Sequence, residues 1–421
     1  MDILLNSGTT LVMIAAVVGL FMAWGIGAND VANAMGTSVG SKALSIKQAI
    51  IIAMVFEFAG AYLAGGEVTS TIRKGIIDAS FFVDSPELLV FGMISALFAA
   101  ATWLLIASAL GWPVSTTHSI VGAIVGFAAM GVSVDAVTWS KVGGIVGSWI
   151  ITPLISGVIA FLIFNSAQKL IFDTEKPLQQ AKRWVPLYMF LAGFVLALVT
   201  IKKGLKHIDL HIGNADSFIY AAITAIIVAS IGKFFISRIN FDETAALKTH
   251  YANVEKVFAI LMIVTACCMA FAHGSNDVAN AIGPLAAVVS IVDNGGQIAA
   301  KSTIAWWILP LGGFGIVAGL AIFGHKVIAT IGQGITHLTP SRGFAAELAA
   351  ACTVVIASGA GLPISTTQTL VGAVLGVGMA RGIAAINLGV VRNIVVSWVI
   401  TLPVGAGLSI IFFWLMKSIF V

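Results

Sequence analysis

Charge is what this chain has least of. Its 421 residues include 22 Lys and Arg and 18 Asp and Glu, together 10%, against 59% hydrophobic residues. A soluble chain of this length needs far more polar surface to cover its core, so a water-soluble globular protein is excluded. The mean hydropathy of +1.04 leaves a polytopic membrane protein. The basic residues are scattered over short loops without a dense patch, which excludes nucleic acid as a partner; their excess serves orientation in a membrane. Cysteine is nearly missing. Cys267, Cys268 and Cys352 lie in apolar segments at no metal-ligand spacing, and two of them are adjacent. They read as small packed hydrophobes rather than as a disulfide or a zinc site. A basic n-region is lacking too: the first apolar run, Leu11 to Trp24, follows Asp2 and has no small-residue cleavage site. It is expected to stay as the first span and not to act as a signal peptide.

Taking about 20 apolar residues per helical span, segments fall near 11–34, 46–66, 89–110, 113–131, 142–164, 186–201, 217–236, 256–282, 302–324, 344–361, 363–380 and 388–416. The fourth and eleventh start two or three residues after their predecessors, at Pro113 and Pro363, and also fit halves of re-entrant hairpins. Fourteen basic residues against eight favour both termini outside.

Against this apolar background the chain writes two polar motifs twice. Gly27-Ala28-Asn29-Asp30-Val31-Ala32-Asn33-Ala34 recurs as Gly274-Ser275-Asn276-Asp277-Val278-Ala279-Asn280-Ala281. Pro113-Val114-Ser115-Thr116-Thr117-His118 recurs as Pro363-Ile364-Ser365-Thr366-Thr367-Gln368, and Ser148-Trp149 as Ser397-Trp398. The offsets of 247, 250 and 249 residues make the halves nearly colinear. Seven segments separate the start of one copy from the start of the next, and an odd number inverts the second copy in the membrane. The expected fold is an all-α polytopic membrane protein of about twelve transmembrane segments, in two inverted-topology repeats with broken or re-entrant helices. The repeats span residues 1–164 and 256–421. Between them, residues 165–255 form a connector with two spans and charged loops. In it, His207 and His211 with Asp209 read as an interfacial turn rather than a metal site, and Asp242 to Glu255 as a solvated helix leading into the eighth span.

An ionisable group at bilayer depth costs roughly 2.5–3.5 kcal/mol on insertion scales, so buried Asp30 and Asp277 call for a function. Gly25-Ile26-Gly27 and His273-Gly274 are expected to break their helices and expose carbonyls beside them. With Asn29, Asn33, Asn276 and Asn280, the two aspartates then offer an all-oxygen site for a small hard cation in each repeat. Pro-x-Ser-Thr-Thr does the opposite job. Proline at a first helical turn followed by hydroxyl residues marks a helix N-terminus, whose free N–H groups and partial positive charge suit an oxyanion. Ser115, Thr116, Thr117, Ser365, Thr366 and Thr367, with His118 and Gln368, are the candidate anion-binding residues. A multiply charged anion near two aspartates needs cations between them. At an effective permittivity of about 20, unit charges about 4 Å apart interact by about 4 kcal/mol, which favours coupled binding.

These duplicated motifs resemble the inorganic phosphate transporter family, over both halves of the chain. The resemblance implies a symporter of inorganic phosphate with Na+ or protons, usually a homodimer, with the matched Asp, Asn, Ser and Thr lining the site. Some members carry sulfate instead. Glu57 and Glu347 also resemble acidic positions of that family, and the short connector resembles a prokaryotic form, in a cell inner membrane or plasma membrane. The amide and carboxylate oxygens favour Na+ as the co-transported ion, with a proton-coupled permease as the alternative. An anion channel needs basic rings the spans do not have. No catalytic constellation repeats, so no enzyme and no organic cofactor are expected.

Overall fold

The computed structural model describes residues 2–110, 112, 114–205, 212–239, 247–298, 304–331, 338–382 and 387–421. Pro113, the His207–His211 turn and the acids at 242–243 lie outside them. The described residues form thirteen α-helices: α1 Asp2–Gly40, α2 Ile46–Ala64, α3 Gly66–Lys74, α4 Pro86–Ala109, α5 Thr116–Gly131, α6 Trp139–Ala167, α7 Pro177–Lys202, α8 Asn214–Ser237, α9 Leu247–Asp293, α10 Ile308–Ile331, α11 Pro340–Gly359, α12 Thr366–Arg381 and α13 Leu388–Phe420. Ten are long and apolar enough to cross a membrane. The exceptions are polar α3 and the 16-residue α5 and α12. At 1.5 Å per residue, 16 residues reach about 24 Å, short of the roughly 30 Å hydrocarbon core. The fourth and eleventh segments are thus the short arms of two helical hairpins, α4–α5 and α11–α12, each folded back on its long arm.

Local sequence sets these boundaries. Proline stands in the first turn of α4, α7 and α11, where its missing N–H costs nothing. Ser45 and Gln48 form a capping box at the start of α2. Ser115 and Ser365 cap α5 and α12 by accepting from the amides of His118 and Gln368.

Packing follows the duplication. Helix α1 crosses α10 as α9 crosses α2, and α5 lies on α13 as α12 lies on α6. Each hairpin therefore rests on the last helix of the other repeat. Counting each hairpin as two crossings or as none leaves an odd number of segments between the copies, the condition for an inverted second copy. The hairpin helices α4 and α11 are central, with 78% of their most apolar windows buried, against 22% for α8 at the periphery.

The helices do not break at the first motif. Both α1 and α9 run unbroken through Gly25–Gly27 and His273–Gly274, so no unwound carbonyls face Asp30 or Asp277. The glycines serve close packing instead. A side chain at Gly27 would collide with the backbone carbonyl of Ile316 on α10, and one at Gly274 with that of Glu57 on α2. The true helix break lies at Gly65, between α2 and α3.

Candidate functional site

Where α1 and α9 cross, the two Asn-Asp motifs meet the starts of α5 and α12. Asn29, Asp30, Asn33, Asn276, Asp277 and Asn280 are all at most 4% exposed, and Ser115, Thr116, Thr117, Ser365, Thr366 and Thr367 at most 5%. The hydrogen bonds run crosswise between repeats. Asn33 Nδ2 donates to Thr367 Oγ1 at 2.8 Å, and its counterpart Asn280 donates to Thr117 Oγ1 at 3.1 Å and Thr116 Oγ1 at 3.2 Å. The Thr117 hydroxyl in turn donates to the Ile364 carbonyl at the tip of the opposite hairpin, at 2.9 Å. Within each repeat, Asn29 donates to Ser108 at 2.8 Å and Asn276 to Ser358 at 2.9 Å, tying each motif to the long arm of its own hairpin. Thr366 donates to Asp277 Oδ2 at 2.8 Å.

These bonds spend the donors and leave acceptors over. Asp30 Oδ2, Asp277 Oδ1, Asn276 Oδ1 and Asn280 Oδ1 are buried with no hydrogen-bond donor among the described residues. Buried oxygens of this kind are costly unless a positive group meets them, and four of them around one crossing fit small hard cations. On the facing side, the amides of Thr116, Thr117, Thr366 and Thr367 are those a helix start leaves without an intrahelical acceptor. Two such ends point oppositely directed helices at the same region, as an oxyanion site without arginine requires.

His118 and Gln368 sit behind this layer. The His118 ring stacks on Trp149 at 3.8 Å between centroids, with Nδ1 3.4 Å from the Trp398 carbonyl. Trp149 donates to the Pro363 carbonyl at 3.2 Å, so this layer braces the hairpin tips.

Sequence reasoning missed His273 as a functional residue. One donor atom each of Asp30, His273 and Asp277 lie within 4.8 Å of one another. His273 Nε2 is 3.0 Å from Asp277 Oδ2 and Nδ1 is 3.2 Å from Glu57 Oε1, all three residues fully buried. The i, i+4 spacing of His273 and Asp277 was the available signal. The crossing has no such chain on its other side: Ile26 stands where the second copy has His273, and Ile316 where it has Glu57. Glu347 lies in a separate pocket of hydroxyls, accepting from Thr37, Ser38 and, at 2.8 Å, Thr265.

A family model described as the phosphate transporter family matches residues 26–409. The chain belongs to the phosphate transporter family. A Haemophilus influenzae protein named as a phosphate permease is 58% identical over 420 residues, covering all of both chains. The chloroplastic inorganic phosphate transporter 2-1 of Arabidopsis thaliana is 44% identical over 422 residues, covering 95% of this chain and 71% of its own. A solved structure of a protein named as the sodium-dependent phosphate transporter superposes with a TM-score of 0.90 at 41% identity, covering 97% of this chain and all of the other. Membership makes this a multi-pass transporter of phosphate and not an enzyme.

Proposed function

We propose that this family member is a Na+-coupled phosphate symporter working by alternating access around the α1–α9 crossing. The carrying observation is the set of buried oxygens of Asp30, Asp277, Asn276 and Asn280 that have no donor among the described residues, beside the bonds by which Asn33, Asn280 and Asp277 meet the two helix starts through other atoms. Sodium ions held by Asn29, Asp30, Asn33, Asn276, Asp277 and Asn280 neutralise the carboxylates. Phosphate then binds between the N-termini of α5 and α12, using the free amides and the hydroxyls of Ser115, Thr116, Thr117, Ser365, Thr366 and Thr367. Cation-first loading follows, because an anion meeting two bare carboxylates in a site of low permittivity is repelled by several kcal/mol. The structural relative is named as sodium-dependent, which supports the same ion. The working unit in the cell inner membrane or plasma membrane is a homodimer.

One observation favours proton coupling as a second reading: His273 bridges Glu57 and Asp277, a chain able to hold a proton at the site. Uptake of labelled phosphate into proteoliposomes separates the two. At fixed pH, replacing Na+ by choline abolishes uptake if sodium is the coupling ion. Full uptake in choline, driven by an imposed pH gradient, would transfer coupling to protons.

A further inference from the structure

Four consecutive carbonyls at the tip of the α11–α12 hairpin each accept a hydrogen bond from a side chain of a different helix. Thr71 on α3 donates to the Gly361 carbonyl at 2.6 Å, Asn276 on α9 to that of Leu362 at 3.3 Å, Trp149 on α6 to that of Pro363 at 3.2 Å and Thr117 on α5 to that of Ile364 at 2.9 Å. Gly361 is left-handed, with a φ of 71°, and a side chain on it would stand 3.2 Å from the Thr71 hydroxyl, so the turn is built to admit that bond. The tip of the α4–α5 hairpin is held differently, although its partners are sequence copies of three of these donors. Asn29, matching Asn276, donates to Ser108, and Thr367, matching Thr117, accepts from Asn33. Among the described residues no side chain donates to the Trp112 or Val114 carbonyl, and Trp398, matching Trp149, has no acceptor for its indole N–H. Like residues in like sequence thus make unlike bonds.

We propose that the four bonds latch the α11–α12 tip, that alternating access exchanges them for the matching bonds at the α4–α5 tip, and that Thr71 is a positioning residue for this cycle, biasing it toward the conformation with the α11–α12 tip held. The inference rests on the transport reading above. Two of the four donors, Asn276 and Thr117, belong to the proposed cargo site. Cargo and tip carbonyls then compete for the same N–H and O–H groups, which ties loading to release of the tip. Thr71 lies outside that site, on a helix seated against α9, where a side chain on Gly283 would stand 2.7 Å from Ile72. It can be altered without touching a cargo ligand. A threonine that only packs a tip predicts a different result: its loss loosens that tip and leaves the other as it was.

The test is fluorine NMR of the full-length purified protein without Na+ or phosphate, in a background with the three native cysteines replaced by alanine. A trifluoromethyl label is placed on L362C at one tip or, in a second sample, on L110C beside the other, both exposed positions. Each label is expected to show a major and a minor resonance, the minor one from the exchanged conformation. T71V keeps the shape of threonine and removes the donor. It is expected to raise the minor population about two- to tenfold, the range that one net hydrogen bond covers, and by the same factor at both labels. T71S, which keeps the hydroxyl, restores the wild-type populations. W149F removes the donor to Pro363, keeps a ring against His118 and is expected to act in the same direction, so it carries the test if T71V does not fold. A change confined to the L362C label overturns the inference, as do populations unchanged at both labels. Spectra without cargo leave the transport reading intact in either case. Wild-type protein that moves no phosphate under a Na+ or a pH gradient overturns both.

Discussion

Ser115 and Ser365 have two duties each. Their oxygens accept the capping amides of His118 and Gln368, and their hydroxyl protons remain available at the helix starts. Removing a hydrogen bond to a charged group typically costs about 1.5–3 kcal/mol, and losing a cap about 1 kcal/mol of stability. Ser115→Ala and Ser365→Ala are therefore expected to raise the apparent KM for phosphate at least tenfold and to lower thermal stability slightly. Uptake kinetics and melting in detergent check this; unchanged affinity in both variants would leave the serines as caps only. The Glu57–His273 pair makes a different prediction. Breaking a buried pair by removing one member typically costs about 3–5 kcal/mol, so Glu57→Ile or His273→Ile alone should lower the melting temperature sharply. The double variant should recover most of that loss, because the other side of the crossing already packs Ile316 against α1 beside Ile26, both fully buried. A double variant no more stable than the worse single variant would contradict the equivalence of the two sides.

At the scale of helices, the glycines at the crossing separate what the sequence reveals from what it conceals. The doubled Asn-Asp and Ser-Thr-Thr motifs were legible because each breaks an apolar run with residues that cost energy there, and the duplication excludes chance. The hairpins were legible from the two- or three-residue gaps before Pro113 and Pro363. The role of Gly27 and Gly274 was not. Glycine breaks a helix and also admits a neighbouring backbone, and only the position of α10 and α2 decides between the two. For the same reason the His273–Glu57 pair stayed hidden: its members lie 216 positions apart on helices whose contact no local pattern encodes. Gly27→Ala and Gly274→Ala should each abolish uptake and destabilise the protein by about 1–3 kcal/mol, the usual range for overpacking. Gly143→Ala on α6, where nothing lies within 4 Å, should be neutral or stabilising by up to about 1 kcal/mol. Melting curves of the three variants decide it; equal behaviour of all three would mean that the crossing tolerates a methyl group.

On the scale of the whole molecule, the crosswise packing of the two copies is what turns two ordinary motifs into one site. A single Ser-Thr-Thr helix start is a cap, and a single buried aspartate is a burden. Because each hairpin rests on the last helix of the other repeat, the two starts converge on the crossing that carries both aspartates. The central claim is that cation and phosphate share this one site and that the cation comes first. Titration calorimetry of phosphate into the purified protein tests it most directly, in NaCl and in choline chloride at equal ionic strength, with Asp30→Asn and Asp277→Asn alongside. Binding in NaCl that is lost in choline, and a weaker dependence on Na+ in either aspartate variant, is the predicted result. Phosphate binding of equal strength in NaCl and in choline would contradict it.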